Sequence, residues 1–157
     1  MYVIDNVLAE RQFEALTGRI FNQKFNWFFQ PFVASENQGY YYFTHTFYEE
    51  GKIISDFVNS IFPILVLLNP KRIIRVKANM YTSSVNLETH GMHKDLEVPC
   101  KGAVFYVNSN DGYTELEDGT KIESVANRIL LFDPTKPHQS TNCTNDKVRV
   151  TINFNYF

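Results

Sequence analysis

Val148-Arg149-Val150-Thr151-Ile152-Asn153-Phe154-Asn155, near the C-terminus, alternates apolar and polar residues without a break. Side chains on a strand point to opposite faces in turn. Val148, Val150, Ile152 and Phe154 therefore share one side, and Arg149, Thr151, Asn153 and Asn155 the other. The run Ile73 to Tyr81 repeats the pattern, with Ile74, Val76, Ala78 and Met80 opposing Arg75, Lys77, Asn79 and Tyr81. A sheet backed by helices is apolar on the backed face, and its polar face then lines a cavity or meets water. Both strands fit a cupped sheet, apolar toward helices and polar toward a pocket. An ordinary sheet with one solvated face has the same pattern.

Between and around these two strands lie Gly102 to Val107, Tyr113 to Leu116, Lys121 to Ser124, Asn127 to Phe132 and His138 to Asn142, all short and strand-like. The turns between them are Asn108-Ser109-Asn110-Asp111-Gly112 and Glu117-Asp118-Gly119. Upstream, residues 2–5 read as a short strand, and Leu8, Phe13, Leu16, Ile20 and Phe21 follow a helical period. Residues 22–48 are rich in aromatics, Asn and Gln, and Tyr40 to Tyr48 reads as strand or cavity lining. A second helix is expected from about Ile53 to Leu68, kinked or restarted at Pro63 and closed by Asn69-Pro70. Helices first and short strands after predict an α+β fold, a jelly roll whose N-terminal helices pack on the outer face of one sheet. The expectation is a single domain over 1–157, with a mainly helical buttress (1–70) and a β core carrying the site (71–157).

A chain of 157 residues buries a sizeable core. Its aromatic content of 15% favours strands and walled cavities. The net charge of −2 gives no global pull toward nucleic acid or acidic membranes, and Lys71-Arg72 with Arg75 and Lys77 reads first as a solvated basic face. Cys100 and Cys143 are expected to be reduced thiols. The N-terminus lacks the basic and apolar regions of a signal peptide, and the apolar run Ile61 to Leu68 is too short to span a bilayer, so the expected location is cytoplasmic.

The chemistry-bearing residues are His93-Lys94-Asp95 and, much later, His138. Two imidazoles and one carboxylate form the set that holds non-haem Fe(II) and leaves positions open. Arg149, eleven residues beyond His138, offers a planar fork suited to the free end of a dicarboxylate. A His-x-Asp pair alone is weak, and its weight comes from this company and order. His90 is expected as a loop histidine near the entrance, and His45 as a hydrogen-bonded wall residue. Residues 24–48 and 83–92 are candidates for a mobile entrance or simply surface loops.

The run from Asn79-Met80-Tyr81 through His93-Lys94-Asp95, Gly102-Ala103-Val104-Phe105-Tyr106, Asp111-Gly112-Tyr113-Thr114-Glu115-Leu116, Arg128-Ile129-Leu130-Leu131-Phe132, His138 and Arg149-Val150-Thr151 resembles the 2-oxoglutarate/Fe(II) oxygenases of the prolyl-4-hydroxylase-like type. It looks most like their compact bacterial and phage-borne members, over about residues 70–157. The resemblance implies a double-stranded β-helix with iron held by His93, Asp95 and His138. It also implies 2-oxoglutarate anchored by Arg149, with Tyr81 and Thr151 bonding the same distal carboxylate and Tyr106 as a further pocket residue. The implied reaction hydroxylates a substrate C–H bond while 2-oxoglutarate and O2 become succinate and CO2, with ascorbate in support. A peptidyl (prolyl) side chain is the first expected substrate, another protein, peptide or small molecule the next; oligomeric state is not readable. Asp95 occupies the position that a halogenating relative leaves to halide.

Two alternatives compete. Asn79-x-Tyr81 also suits nucleic-acid demethylases of the AlkB type, but those usually carry a second Arg six residues after the first, where Asn155 stands here. A non-redox cupin-like binding protein typically shows His-x-His followed by Glu, rather than His-x-Asp with an Arg.

Overall fold

The computed structural model describes residues 1–33 and 39–157; part of the candidate entrance over 24–48, namely 34–38, lies outside the described residues. The strands are β1 (Tyr2–Ile4), β2 (Phe28–Gln30), β3 (Tyr42–Glu49), β4 (Lys52–Ile53), β5 (Ile73–Thr82), β6 (Lys101–Tyr106), β7 (Tyr113–Leu116), β8 (Lys121–Glu123), β9 (Arg128–Phe132), β10 (His138–Ser140) and β11 (Val148–Tyr156). The helices are α1 (Glu10–Ile20) and α2 (Phe62–Leu68), with a 3-10 helix over Asp56–Ile61. One sheet has eight strands in the order β1-β9-β6-β11-β5-β3-β2, with β4 paired to β3. The other runs β10-β7-β8, and a bridge between His93 and His138 adds the segment around His93 to its edge. Among the described residues no helix is long and apolar enough to cross a membrane.

The alternation in β11 and β5 places the core. Val150, Ile152 and Phe154, with Val76 and Ala78, are buried beneath Leu16 and Ile20 of α1, Ile61 of the 3-10 helix and Ile64 of α2. Burying each such side chain contributes roughly 1.5–3 kcal/mol. A second cluster (Val104, Tyr106, Leu130 and Ile122, with Leu116 and Phe132) joins the two sheets. Strand β6 is thus buried on both faces, apolar toward helices and sheet alike. One detail departs from the alternation: a register shift near the start of β5 puts Ile73, not Ile74, against this core, opposite Tyr156.

The first seventy residues give the large sheet four strands as well as the helical buttress. The second helical stretch begins at Asp56 rather than Ile53. Lys52 and Ile53 pair with Glu49 and Tyr48, and the Ser55 hydroxyl accepts the Phe57 N–H at 3.0 Å as an N-cap. Pro63 sits in the first turn of α2 and restarts the helix, which Asn69 closes in the left-handed conformation at φ 44°.

Candidate metal centre

Cross-strand pairing and a two-residue repeat build the site. His93 and His138 exchange both backbone hydrogen bonds, each 2.9 Å, so their side chains leave the same face side by side. Asp95 follows two residues after His93 and is held by its own N–H, which donates to the Pro134 carbonyl at 3.0 Å. One ligand atom from each of His93, Asp95 and His138 lies within 4.8 Å of the others. Nε2 of His138 and of His93 stand 3.8 and 4.0 Å from Asp95 Oδ1.

The other ring nitrogens explain the orientation. His93 Nδ1 meets the Gly91 carbonyl at 3.1 Å, and His138 Nδ1 meets the Lys136 carbonyl at 3.0 Å. A carbonyl can only accept, so both Nδ1 atoms carry the hydrogen and both Nε2 lone pairs face the carboxylate. Asp95 Oδ2 accepts from Asn155 at 3.0 Å, and Arg75 stands 3.8 Å from Oδ1 while donating to Asn155 at 3.3 Å. Three donors aimed inward, each steadied from behind, suit a divalent transition ion.

Arg149 is wholly buried. Its Nε donates to Ser124 Oγ (2.6 Å), Nη1 to Ser140 Oγ (2.7 Å) and the Thr141 carbonyl (3.1 Å), and Nη2 to Thr114 Oγ1 (3.2 Å). All four acceptors are neutral. Tyr81 and Tyr106 bring ring faces to 5.6 and 5.8 Å from the guanidinium carbon, and Tyr106 donates to Thr114 at 2.9 Å. Burial pulls the guanidinium below its ordinary range and pushes both phenols up, so the phenols keep their hydrogens. Thr151, also buried, leaves the same face of β11 two residues on and contacts Asn153 Oδ1 at 3.4 Å. Among the described residues this buried cation has only neutral partners and the buried Asn79 Oδ1 has no hydrogen-bond partner, an arrangement that fits an anionic ligand.

The structure groups His93, Asp95 and His138, and sets Tyr81 and Tyr106 around Arg149; sequence reasoning missed the residues that support them. Ser124, Ser140, Thr114 and Thr141 come from the small sheet and its turns, and nothing in their local sequence marks them. Asn155 and Arg75 were legible only as members of a polar face. Arg75 and Lys77 are half-buried between the sheets rather than on a solvated face. His90 lies in a loop and is buried: its ring stacks on Tyr81 at 4.8 Å, and the positive φ of Gly91 (82°) turns the chain between it and His93. His45 bonds the Asn26 carbonyl and Ser55 Oγ, each at 2.7 Å, and is a wall of the helix-side core. The two entrance stretches meet: Tyr40, Tyr41, Ser84, Glu88 and His90 line a cavity of about 240 Å³.

Burial is the first cause that lowers the imidazoles of His90 (to about 4), His138 and His45. Folded-state values below the ordinary 6.5 mean that their contribution is intact above that pH and is lost as pH falls through the window below it, widest for His90. The melting temperature of the metal-free protein is therefore expected to drop between pH 7 and 4. His90→Phe, which keeps the stack on Tyr81, should flatten that drop; an equally steep one would reject the role of His90.

No sequence-family model matches the chain, and no curated protein matches it by sequence. Solved structures do match by shape. A prolyl hydroxylase from Trichoplax adhaerens, in complex with a hypoxia inducible factor oxygen degradation domain peptide fragment, superposes with a TM-score of 0.74 at 16% identity, over 99% of this chain and 82% of that one. An oxidoreductase of the 2OG-Fe(II) oxygenase family from Burkholderia pseudomallei gives 0.70 at 11% identity, over 98% and 83%. The viral collagen prolyl hydroxylase of Paramecium Bursaria Chlorella virus-1, a 2OG complex, gives 0.64 at 13%, over 98% and 93%. The fold is the double-stranded β-helix of the 2-oxoglutarate/Fe(II) oxygenases. The space between its two sheets holds the His93–Asp95–His138 cluster and Arg149.

Proposed function

We propose that the protein is an Fe(II)- and 2-oxoglutarate-dependent dioxygenase that hydroxylates a substrate C–H bond, with a peptidyl side chain such as proline as the first substrate to test. The observation that carries this is the pairing of a three-donor cluster with a buried arginine that has only neutral partners among the described residues. The likeness in fold to prolyl hydroxylases, one of them in complex with a peptide fragment, supports the choice of substrate.

His93, Asp95 and His138 would hold the iron, which supplies the redox step coupling decarboxylation of 2-oxoglutarate to hydroxylation. Arg149 would anchor the distal carboxylate of 2-oxoglutarate, joined by hydroxyls of Tyr81 and Thr151, with Tyr106 closing the pocket behind. These groups bind and orient, and the buried aromatic walls exclude water. Both imidazoles are fixed as Nδ1–H tautomers by backbone carbonyls, so neither need shed a proton to ligate. Asn155, where a demethylase of the AlkB type carries its second Arg, is used to steady Asp95. The structure therefore lends that alternative no support.

Succinate production from 2-oxoglutarate, with Fe(II) and ascorbate, screened over peptides, nucleotides and metabolites, tests the proposal. Substrate-stimulated succinate is expected from a peptide; iron-independent turnover or none with any member would oppose it. Gly112 supplies a second check on the anchor. A Cβ there would overlap the Asn142 carbonyl oxygen and lie 2.5 Å from Arg149 Cδ. Gly112→Ala is expected to weaken 2-oxoglutarate about tenfold, with iron affinity unchanged; unaltered co-substrate affinity would show that Arg149 is free to shift.

A further inference from the structure

Lys77 lies on the polar face of β5, two residues from Arg75, whose guanidinium reaches Asp95 and Asn155. Its side chain therefore leaves into the same space between the sheets. Lys77 pairs in register with Thr46 on β3 and Asn153 on β11. The shorter Thr44–Asn79 pair separates it from Tyr42, and across that gap Lys77 Nζ donates to the Tyr42 hydroxyl at 3.3 Å. Tyr42 in turn stacks on Tyr81, rings 5.5 Å apart and 9° from parallel. Among the described residues no carboxylate lies within ion-pair distance of Lys77.

The charges of the loaded site say what is left over. A ferrous ion and Arg149 together balance Asp95 and the two carboxylates of 2-oxoglutarate. Arg75 shares Asp95 with the ion and donates to neutral Asn155, so its charge is left over as well. Lys77, unlike Arg75, has no carboxylate partner among the described residues, and it is half-buried where an unpaired charge is costly. The ammonium has hydrogens to spare, and the Tyr42 phenol, held protonated by burial, can turn its O–H outward. One cation and one neutral donor match the two oxygens of a monoanion better than a phosphate.

We propose that Lys77 and the Tyr42 hydroxyl bind a carboxylate carried by the substrate, so that the site selects molecules whose hydroxylated carbon lies near an acid. This rests on the dioxygenase assignment above, and it narrows the peptide substrate to one with an adjacent acidic group, or to a free amino acid.

Calorimetry on the Zn(II)-substituted protein saturated with 2-oxoglutarate reads binding without turnover. Two probe pairs differ only in acid against amide. L-Proline and L-prolinamide represent a free amino acid; N-acetyl-Pro-Glu-amide and N-acetyl-Pro-Gln-amide place the acid on a peptide side chain. At least one acid is expected to bind wild type about tenfold more tightly than its amide. Lys77→Gln should abolish that preference and Lys77→Arg keep most of it, and both should bind 2-oxoglutarate within about twofold of wild type. The pair that discriminates identifies the source of the carboxylate. Acids that bind no better than amides, or not at all, would overturn the proposal. So would a preference that survives Lys77→Gln, or a loss of 2-oxoglutarate affinity in that variant. The separate co-substrate titration reports on the assignment beneath: wild type that takes up no 2-oxoglutarate overturns the role of Arg149 and this inference with it.

Discussion

Asp95→Ala is expected to lower ferrous affinity by at least about 100-fold and to abolish turnover, measured by equilibrium dialysis under anaerobic conditions and by succinate release. Asp95 is the only anionic donor of the cluster, and both imidazole Nε2 atoms converge on it. Its removal also leaves Arg75 and the Asn155 amide facing an empty position. Asp95→Asn, nearly isosteric, separates the two effects: it keeps the volume, loses the charge, and should lose iron almost as completely. Stoichiometric iron retained by both variants would mean that the ion, if any, is held elsewhere.

The second large effect is expected at Arg149. Arg149→Ala removes the buried cation and leaves the hydroxyls of Ser124, Ser140 and Thr114 and the Thr141 carbonyl without that donor. Breaking a buried charged pair costs on the order of 3–5 kcal/mol, so 2-oxoglutarate affinity should fall by a factor on the order of 100 or more, with iron binding retained. The melting temperature should fall too, because Ser124, Ser140 and the Thr141 carbonyl lose their donor, while Thr114 keeps that of Tyr106. Arg149→Lys keeps a charge but not the fork; it should fall between wild type and Ala in co-substrate affinity. An Arg149→Ala protein that folds and binds 2-oxoglutarate as wild type does would show that the anchor lies elsewhere.

Much of this was legible in the chain because period-two alternation is a strong signal. The faces of β11 and β5 mark the helix-packed side and the polar floor, and the order His93, Asp95, His138, Arg149 points to residues that meet at the candidate centre. What stayed hidden is non-local or depends on competing local preferences. Ile53 stands at the start of a helical period, yet the Ser55 cap and pairing with β3 win. Ile74 fits the apolar side by counting, but the register shift against β11 hands its place to Ile73. Arg75 and Lys77 look like a solvated basic run until the pairing of β5 with β3 and β11 turns them inward. The hydroxyls around Arg149 come from β7, β10 and the turn after β8, which meet only through the closure of the small sheet. Gly112 looks like an ordinary turn glycine; its closeness to Arg149 belongs to the folded chain alone.

An anaerobic spectrophotometric titration with Fe(II) and 2-oxoglutarate bears most directly on the central claim, that three donors and one arginine serve a single ferrous centre. A weak visible charge-transfer band that requires both additions, and that is missing from His138→Ala and from Arg149→Ala at a 2-oxoglutarate concentration saturating wild type, is the predicted result. No band with both additions, or one that survives loss of His138, would contradict it.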